Sequence, residues 1–104
     1  MANLTHDDHH LTFRLEERSD AASARAMREL LLLAKLDDVE LVKIDAAPVV
    51  KVELAVIQVL LAWCVILDAR QIPWQWQDAS DSFRHAVQHV GLVHAFRLVN
   101  GQSA

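Results

Sequence analysis

Few residues of this chain combine a reactive type with a spacing that chemistry requires. His85 and His89 lie four positions apart in a segment of helical periodicity, a spacing that can bring two imidazoles onto one metal ion. On a helical wheel they point away from the apolar residues of that segment, and no third ligand is evident, so we expect a solvated pair. The acidic, histidine-rich segment 6–10 could hold a metal loosely, but a disordered tail is the preferred interpretation. We therefore predict no metal site and no cofactor.

A second candidate is Cys64, the single cysteine of the chain, which stands within a long apolar run. No histidine or basic residue nearby in the sequence would lower its pKa, so the pattern predicts a core cysteine and not a reactive thiol. The sequence also lacks a glycine-rich phosphate loop, a zinc-binding cysteine pair and a nucleophile elbow. The residues therefore predict a protein that binds another protein and is not an enzyme.

Composition restricts the partners further. The 104 residues suit one domain, and the net charge of −4, without any cluster of Lys or Arg, argues against a nucleic-acid partner. The apolar run 54–67 is shorter than the roughly 20 residues that a membrane span needs. No targeting signal is visible in the first ten residues. We expect a cytoplasmic protein with no direct membrane span.

Periodicity in the first half of the chain predicts a strand, a helix and a second strand. Apolar and polar residues alternate from Leu11, as in a half-buried strand. Asp20 can cap the helix that follows, which ends near Leu36 and places Arg25 and Arg28 on its solvent side. A turn then leads into a short strand over 39–44 that ends at about Asp45.

The second half predicts a helix, a strand and a third helix. The long helix runs from about Glu53 to Arg70, and Trp74 and Trp76 share one face of the strand after it. Ser80 can cap the last helix, which ends before Gly91. The order β-α-β-α-β-α predicts an α/β fold, a small, open and mostly parallel sheet with helices packed on it. We expect one domain over 11–98, with flexible tails at 1–10 and 99–104.

Two segments of the chain carry a resemblance to a known family. The first is V-E-L-A-V-I-Q-V-L-L at 52–61, preceded by Ile44-Asp45, and the second is S-D-S-F at 80–83 followed by V-G-L at 90–92 and Phe96. Together they resemble the STAS domain, the family of bacterial anti-anti-sigma factors, over about residues 11–98. The resemblance implies a non-catalytic, protein-binding domain of bacterial signalling.

The chain departs from this family at the start of the long helix. Many members have a Ser or Thr there that a partner kinase phosphorylates, since the helix N-terminus favours a phosphate. Leu54 occupies that position, and no Ser or Thr lies between Ser23 and Ser80 to replace it. The resemblance thus implies a chain without the usual phosphoacceptor, and it leaves open whether Ser80 or Ser82 is phosphorylated instead. The partner-binding surface that it implies consists of Asp45, Val50, Lys51, Glu53 and Leu54.

The long helix has apolar residues on two sides. Ile57, Leu60, Leu61 and Cys64 form the side expected to face the sheet, and a second apolar stripe consists of Val59, Ala62, Trp63 and Ile66. We expect this second stripe to be exposed and to bind a partner or a second copy of the chain in a homodimer. The alternative is that the first helix or an N-terminal segment covers it.

Three functions remain to be compared. The leading hypothesis is a signalling adaptor whose partner is a kinase-like anti-sigma factor or a chemotaxis protein. The alternative is a cytoplasmic STAS subunit of a lipid-transport ABC transporter, although such relatives keep a hydroxyl residue where Leu54 stands. A third is a small-ligand carrier that uses the surface near Trp74 and Trp76.

Overall fold

The computed structural model describes residues 2–98. Three strands alternate with three helices, as predicted, and three further strands are added to them. In chain order the elements are β1 (Asn3–Asp7), β2 (His10–Arg14), β3 (Arg18–Ser19), α1 (Ala21–Leu32), β4 (Leu41–Ala46), β5 (Lys51–Val52), α2 (Leu54–Ala69), β6 (Trp74–Ala79) and α3 (Asp81–His89).

The main sheet is open and mostly parallel, which confirms the predicted fold class. Its strand order is β1-β2-β4-β6, and β2, β4 and β6 run parallel to one another. Phe13, Ile44 and Trp76 are in register across these strands and all are buried. Of their neighbours on the opposite face, Thr12 and Lys43 are partly exposed and Gln75 and Gln77 are exposed, whereas Asp45 is buried. Because successive right-handed crossovers along one direction of a sheet lie on one face, α1 and α2 cover the apolar face and leave the polar face to solvent.

The N-terminal segment corrects the prediction of a flexible tail over residues 1–10. Residues 3–7 form β1, which pairs antiparallel with β2 through a tight turn in which Asp8 has a φ of 60°. Most side chains of β1 are exposed, so backbone pairing and the partly buried Leu4 hold it in place. For the same reason, its sequence lacks the alternation of apolar and polar residues that would predict a strand. The tail predicted for residues 99–104 lies outside the described residues.

An aromatic cluster fills the core beneath α3. Trp76 lies with its ring centroid 5.3 Å from that of Phe83 and 5.8 Å from that of Phe96. Its Nε1 donates a hydrogen bond of 2.6 Å to the backbone oxygen of Phe96. Burial of each such side chain stabilises the fold by about 1.5–3 kcal/mol. The cluster therefore packs the segment after α3 against β6, the strand at one edge of the main sheet.

The predicted helix boundaries are confirmed at the starts of α1 and α3. Asp20 Oδ1 accepts from Ser23 N at 3.0 Å, and Ser80 Oγ accepts from Phe83 N at 3.1 Å. Gly91 follows α3 with a φ of 75°, the left-handed conformation that glycine adopts without strain. Helix α1 ends at Leu32, earlier than predicted, because Leu36 belongs to the connection to β4, where it is buried. None of the described helices is long and apolar enough to cross a membrane.

Candidate functional site

The predicted partner surface lies on the connection from β4 to α2, which we call the docking loop (residues 47–53). Backbone hydrogen bonds hold one side of it: the amides of Val50 and Lys51 donate to the oxygen of Glu17 at 2.7 and 3.1 Å. The amide of Glu53 donates to the oxygen of Ser19 at 3.0 Å. These bonds accompany the short parallel pairing of β3 with β5. The loop backbone is therefore fixed without using its side chains.

The other side of the docking loop is held by Ser80. Its hydroxyl donates to the oxygen of Val49 at 2.6 Å while accepting from the amide of Phe83. This hydroxyl therefore already has one partner as donor and one as acceptor. Ser82, two positions further on, is exposed on the first turn of α3. Whether either serine is phosphorylated stays open. Of the two, only Ser80 forms side-chain hydrogen bonds within the described residues.

Asp45 lies beneath the loop and not on its surface. Its side chain is 7% exposed, and Oδ1 accepts from the amide of Ala47 at 3.0 Å. Oδ2 lies 3.7 Å from Arg14 Nε. A carboxylate that bonds the backbone two residues further on organises a turn. This corrects the expectation that Asp45 belongs to the exposed contact surface: it shapes the loop from below.

The docking loop and the first residue of α2 expose apolar side chains. Val50 is 53% and Leu54 is 50% exposed, and both Lys51 and Glu53 are exposed beside them. Leu54 is the first residue of α2, as the resemblance implied. Glu53 stands at the N-cap but its side chain forms no capping hydrogen bond. The docking loop and the first residue of α2 thus expose two aliphatic side chains, a cation and a carboxylate within five consecutive positions.

A small depression of about 220 Å³ adjoins these residues at the starts of α1 and α2. Arg18 and Lys51 are in register on β3 and β5, and Asp20 and Glu53 are the N-cap residues of the two helices. Hydrogen bonds from Ser23 lower the pKa of Asp20 below its usual value. Because both signs of charge are present, the rim of the docking loop is suited to a protein surface that also carries both.

The second apolar stripe of α2 is only partly exposed, and Trp63 is the main correction. Its side chain is 3% exposed and meets Phe13 edge-on at 5.8 Å between ring centroids. The expectation that Trp63 lies on the surface is wrong, because its ring packs against Phe13 of the sheet. Its Nε1 is buried without a hydrogen-bond partner among residues 2–98.

The rest of the stripe lines a trough between the two helices, which we call the α1–α2 groove. It has a volume of about 470 Å³. Val59 is half-buried, Ala62 is exposed, and Ile66 is 40% exposed. The contribution of α1 was not expected from the sequence, since Arg25 and Arg28 were predicted only to face solvent. The lining residues are Ala24, Arg25, Arg28, Leu31, Leu32, Ala55, Gln58, Val59, Ala62, Trp63 and Ile66.

The residues first considered for chemistry lie elsewhere. Cys64 is 1% exposed, and burial, with a contribution from Asp68, raises its pKa to about 12, so it is the core cysteine that was predicted. His85 and His89 are exposed on α3. Within residues 2–98, no group of three or more His, Cys, Asp or Glu side chains could hold a metal ion.

The proposed ligand surface near Trp74 and Trp76 is filled by the protein itself. The guanidinium of Arg97 lies 4.3 Å from the ring centroid of Trp74. Asp68 accepts hydrogen bonds from Trp74 Nε1 at 2.9 Å and from Arg97 Nη2 at 3.2 Å. Both tryptophans are buried. This surface is therefore a packed connection between α2, β6 and the turn after α3.

Comparison with known proteins gives relatives by structure alone. No protein-family model matches the sequence. No curated protein shows a significant match either. Among solved structures, an anti-sigma factor antagonist from Mycobacterium paratuberculosis is similar with a TM-score of 0.78 and 16% identity, over 92% of this chain and 81% of that one.

Two further structures extend the likeness. The phosphorylated Bacillus cell fate determinant SpoIIAA is similar with a TM-score of 0.71 and 16% identity, over 88% of this chain and 85% of that one. The murine Solute Carrier 26 family member A9 anion transporter matches with a TM-score of 0.67 and 10% identity, over 86% of this chain but 15% of the transporter. The chain therefore has the STAS fold of the anti-sigma factor antagonists.

Proposed function

We propose that this chain is a non-catalytic interaction domain of bacterial signalling that binds a kinase-like anti-sigma factor or a chemotaxis-type partner through its docking loop and the start of α2. It would act in the cytoplasm and without phosphorylation at residue 54. The observation that carries the proposal is Leu54, half exposed at the first position of α2 and four positions after the exposed Val50. The fold supports the class of function, since similar structures are anti-sigma factor antagonists.

The chemistry of residue 54 distinguishes this chain from a phosphorylated antagonist. SpoIIAA is described in both an unphosphorylated and a phosphorylated form. A leucine side chain has no oxygen to accept a phosphate, so residue 54 cannot gain the negative charge of a phosphate group. An aliphatic side chain that is half exposed loses its water contact on binding, which favours association. The docking loop would then bind its partner constitutively.

Binding can be tested with a matched pair of variants. The tagged protein is used to capture partners from its native extract, and the kinase-like protein identified by mass spectrometry is purified and titrated by calorimetry. Leu54→Asp should weaken the affinity by about tenfold or more, because it places a charge at the centre of the contact. Val65→Asp is the control, since Val65 is 59% exposed on the same helix but distant from the loop. Equal effects of the two variants would contradict the proposed surface.

A phosphorylation assay tests the identity of position 54. With the captured kinase and ATP, the wild type should carry no phosphate on the docking loop or α2, whereas Leu54→Ser should gain one. Ser82→Ala in both backgrounds controls for modification of α3. A Leu54→Ser variant that binds the kinase yet stays unmodified would show that residue 54 is not the phosphoacceptor-equivalent position.

A second candidate is a subunit or module of a membrane transporter, such as the cytoplasmic STAS subunit of a lipid-transport ABC system. The likeness to part of a murine anion transporter favours it. The same capture experiment separates the two candidates: recovery of an ATPase together with its permease supports the transporter, and recovery of a kinase-like regulator supports the adaptor. The docking loop is the expected contact in the adaptor.

A further inference from the structure

The α1–α2 groove is a long open trough and not a closed cavity. Its lining residues run from Ala24 to Leu32 on α1 and from Ala55 to Ile66 on α2. At about 1.5 Å per residue, these stretches are about 12 and 17 Å long, the length of two to three helical turns. Leu32 is 61% and Ile66 is 40% exposed, so the apolar surface continues onto the outer face of the protein. A trough of this shape is suited to an elongated apolar face.

One wall of the groove is positively charged although the chain as a whole is acidic. Arg25 and Arg28 are exposed, lie one helical turn apart on α1 and both line the groove. No acidic side chain lines it, and Gln58 is the polar residue on the opposite wall. Within the described part of the chain, neither arginine forms an ion pair. The net charge of the chain is −4, so this wall has the opposite sign.

We propose that the α1–α2 groove binds an acidic amphipathic helix of a partner protein. Its apolar side packs on Val59, Ala62 and Ile66, and its carboxylates face Arg25 and Arg28. Helices bind in this way when anchors at i, i+3, i+4 and i+7 fill an apolar groove. Alanines at three lining positions leave room for the backbone of the incoming helix to approach closely: Ala24, Ala55 and Ala62.

A second copy of the chain fits this groove less well. In a symmetric dimer the same patch occurs on both protomers, so the arginine walls of both copies would lie in one interface. No carboxylate in the lining offsets that repulsion. The homodimer expected through α2 is therefore disfavoured at this surface. The proposal does not rest on the docking loop, whose exposed residues are not part of the groove.

The test begins with a phage-displayed library of amphipathic helices of about 16 residues, a length of about four turns. The apolar positions are fixed as leucine and the flanking positions are randomised between Glu, Lys and Gln. Selection uses the wild type, with counter-selection against Ile66→Asp. We expect the flanking positions to become enriched in Glu. Enrichment in Lys, or no enrichment over the counter-selected variant, would overturn the proposal.

The best selected peptide is then titrated by calorimetry against matched variants. Arg25→Glu/Arg28→Glu should weaken its binding by about tenfold, since two exposed ion pairs are each replaced by a repulsion. Ile66→Asp should weaken it by a similar factor, whereas Val65→Asp and Leu54→Asp should leave it unchanged, because neither residue lines the groove. Circular dichroism establishes that each variant is folded.

Two results would overturn the proposal, the first by identifying a different binding site and the second by identifying a different ligand. An effect of Leu54→Asp equal to that of Ile66→Asp would place the peptide on the docking loop and overturn the groove assignment. Binding of dodecanoate, seen as amide shifts confined to groove residues, without any enriched peptide would make the ligand a lipid and overturn the helix assignment. Loss of kinase binding in Leu54→Asp alone concerns the proposed function and leaves the groove unaffected.

Discussion

The starts of α2 and α3 are built in opposite ways although each helix follows the end of a parallel strand. At α3, Ser80 caps the helix with its side chain and also donates to the docking loop. At α2, Glu53 makes no capping bond, and the backbone of the preceding loop is held by Glu17 and Ser19 instead. Leu54 is consequently left half exposed.

The difference shows that a hydroxyl at a helix start can hold the fold together. The hydroxyl of Ser80 has a structural use, and α3 depends on it. The start of α2 is positioned by backbone bonds, so its side chains can change without loss of the fold. The exposed side chains at the start of α2 are therefore available to bind a partner. Substitution of corresponding residues at the starts of α2 and α3 tests this difference.

The largest expected difference is between Phe83, in the first turn of α3, and Leu54, at the start of α2. Phe83 is completely buried in the aromatic cluster, so Phe83→Ala should lower the free energy of unfolding by about 3–5 kcal/mol. Leu54→Ala should change it by no more than about 0.5 kcal/mol, as is usual for exposed positions. Urea denaturation followed by circular dichroism measures both. A loss of similar size in Leu54→Ala would mean that the start of α2 is part of the core.

A smaller difference is expected between the two N-cap residues. Ser80→Ala removes the acceptor of the Phe83 amide and the donor to Val49, so the free energy of unfolding should fall by about 1–3 kcal/mol. Glu53→Ala removes no capping hydrogen bond and should cost less than about 0.5 kcal/mol. Chemical denaturation of the two variants beside the wild type measures the difference. If Glu53→Ala is the more destabilising, the contrast between the helix starts is wrong.

The smallest effect is a pH dependence that separates the caps of α1 and α3. Hydrogen bonds from Ser23 lower the pKa of Asp20 from 3.8, so the folded state binds this proton less tightly than the unfolded state. The stability that this carboxylate contributes is present above pH 3.8 and is lost as the pH falls through the lowered pKa. Asp20→Asn should therefore reduce the loss of stability on acidification, whereas Ser80→Thr should not.

This prediction is measured as the change in the free energy of unfolding between about pH 6 and about pH 3 for the three proteins. The other carboxylates of the chain contribute equally to all three, so the differences between them report Asp20. An Asp20→Asn variant with the same acid dependence as the wild type would contradict the prediction.

Local sequence signals were sufficient for the main elements of the fold. The alternation around Phe13, the apolar period of α2, the caps Asp20 and Ser80 and the glycine after α3 each depend on neighbouring residues, and each is found in the structure. Strand β1 was missed because its pairing uses backbone groups and its side chains are mostly exposed. A polar strand of that kind has no periodic signal to read.

For the candidate surfaces too, local properties could be predicted from the sequence and burial could not. Leu54 could be placed at the start of α2 from the sequence, because the position of a helix start is a local property. The burial of Asp45 and Trp63 depends on Arg14 and Phe13, which are remote in the chain and are brought close by the pairing of β2 with β4 and the packing of α2. The α1–α2 groove likewise exists only when two helices lie side by side, although both of its arginines belong to α1. The sequence by itself determined the main elements and the leucine at the start of α2, whereas only the tertiary structure decided which side chains are covered, since burial depends on contacts between distant segments.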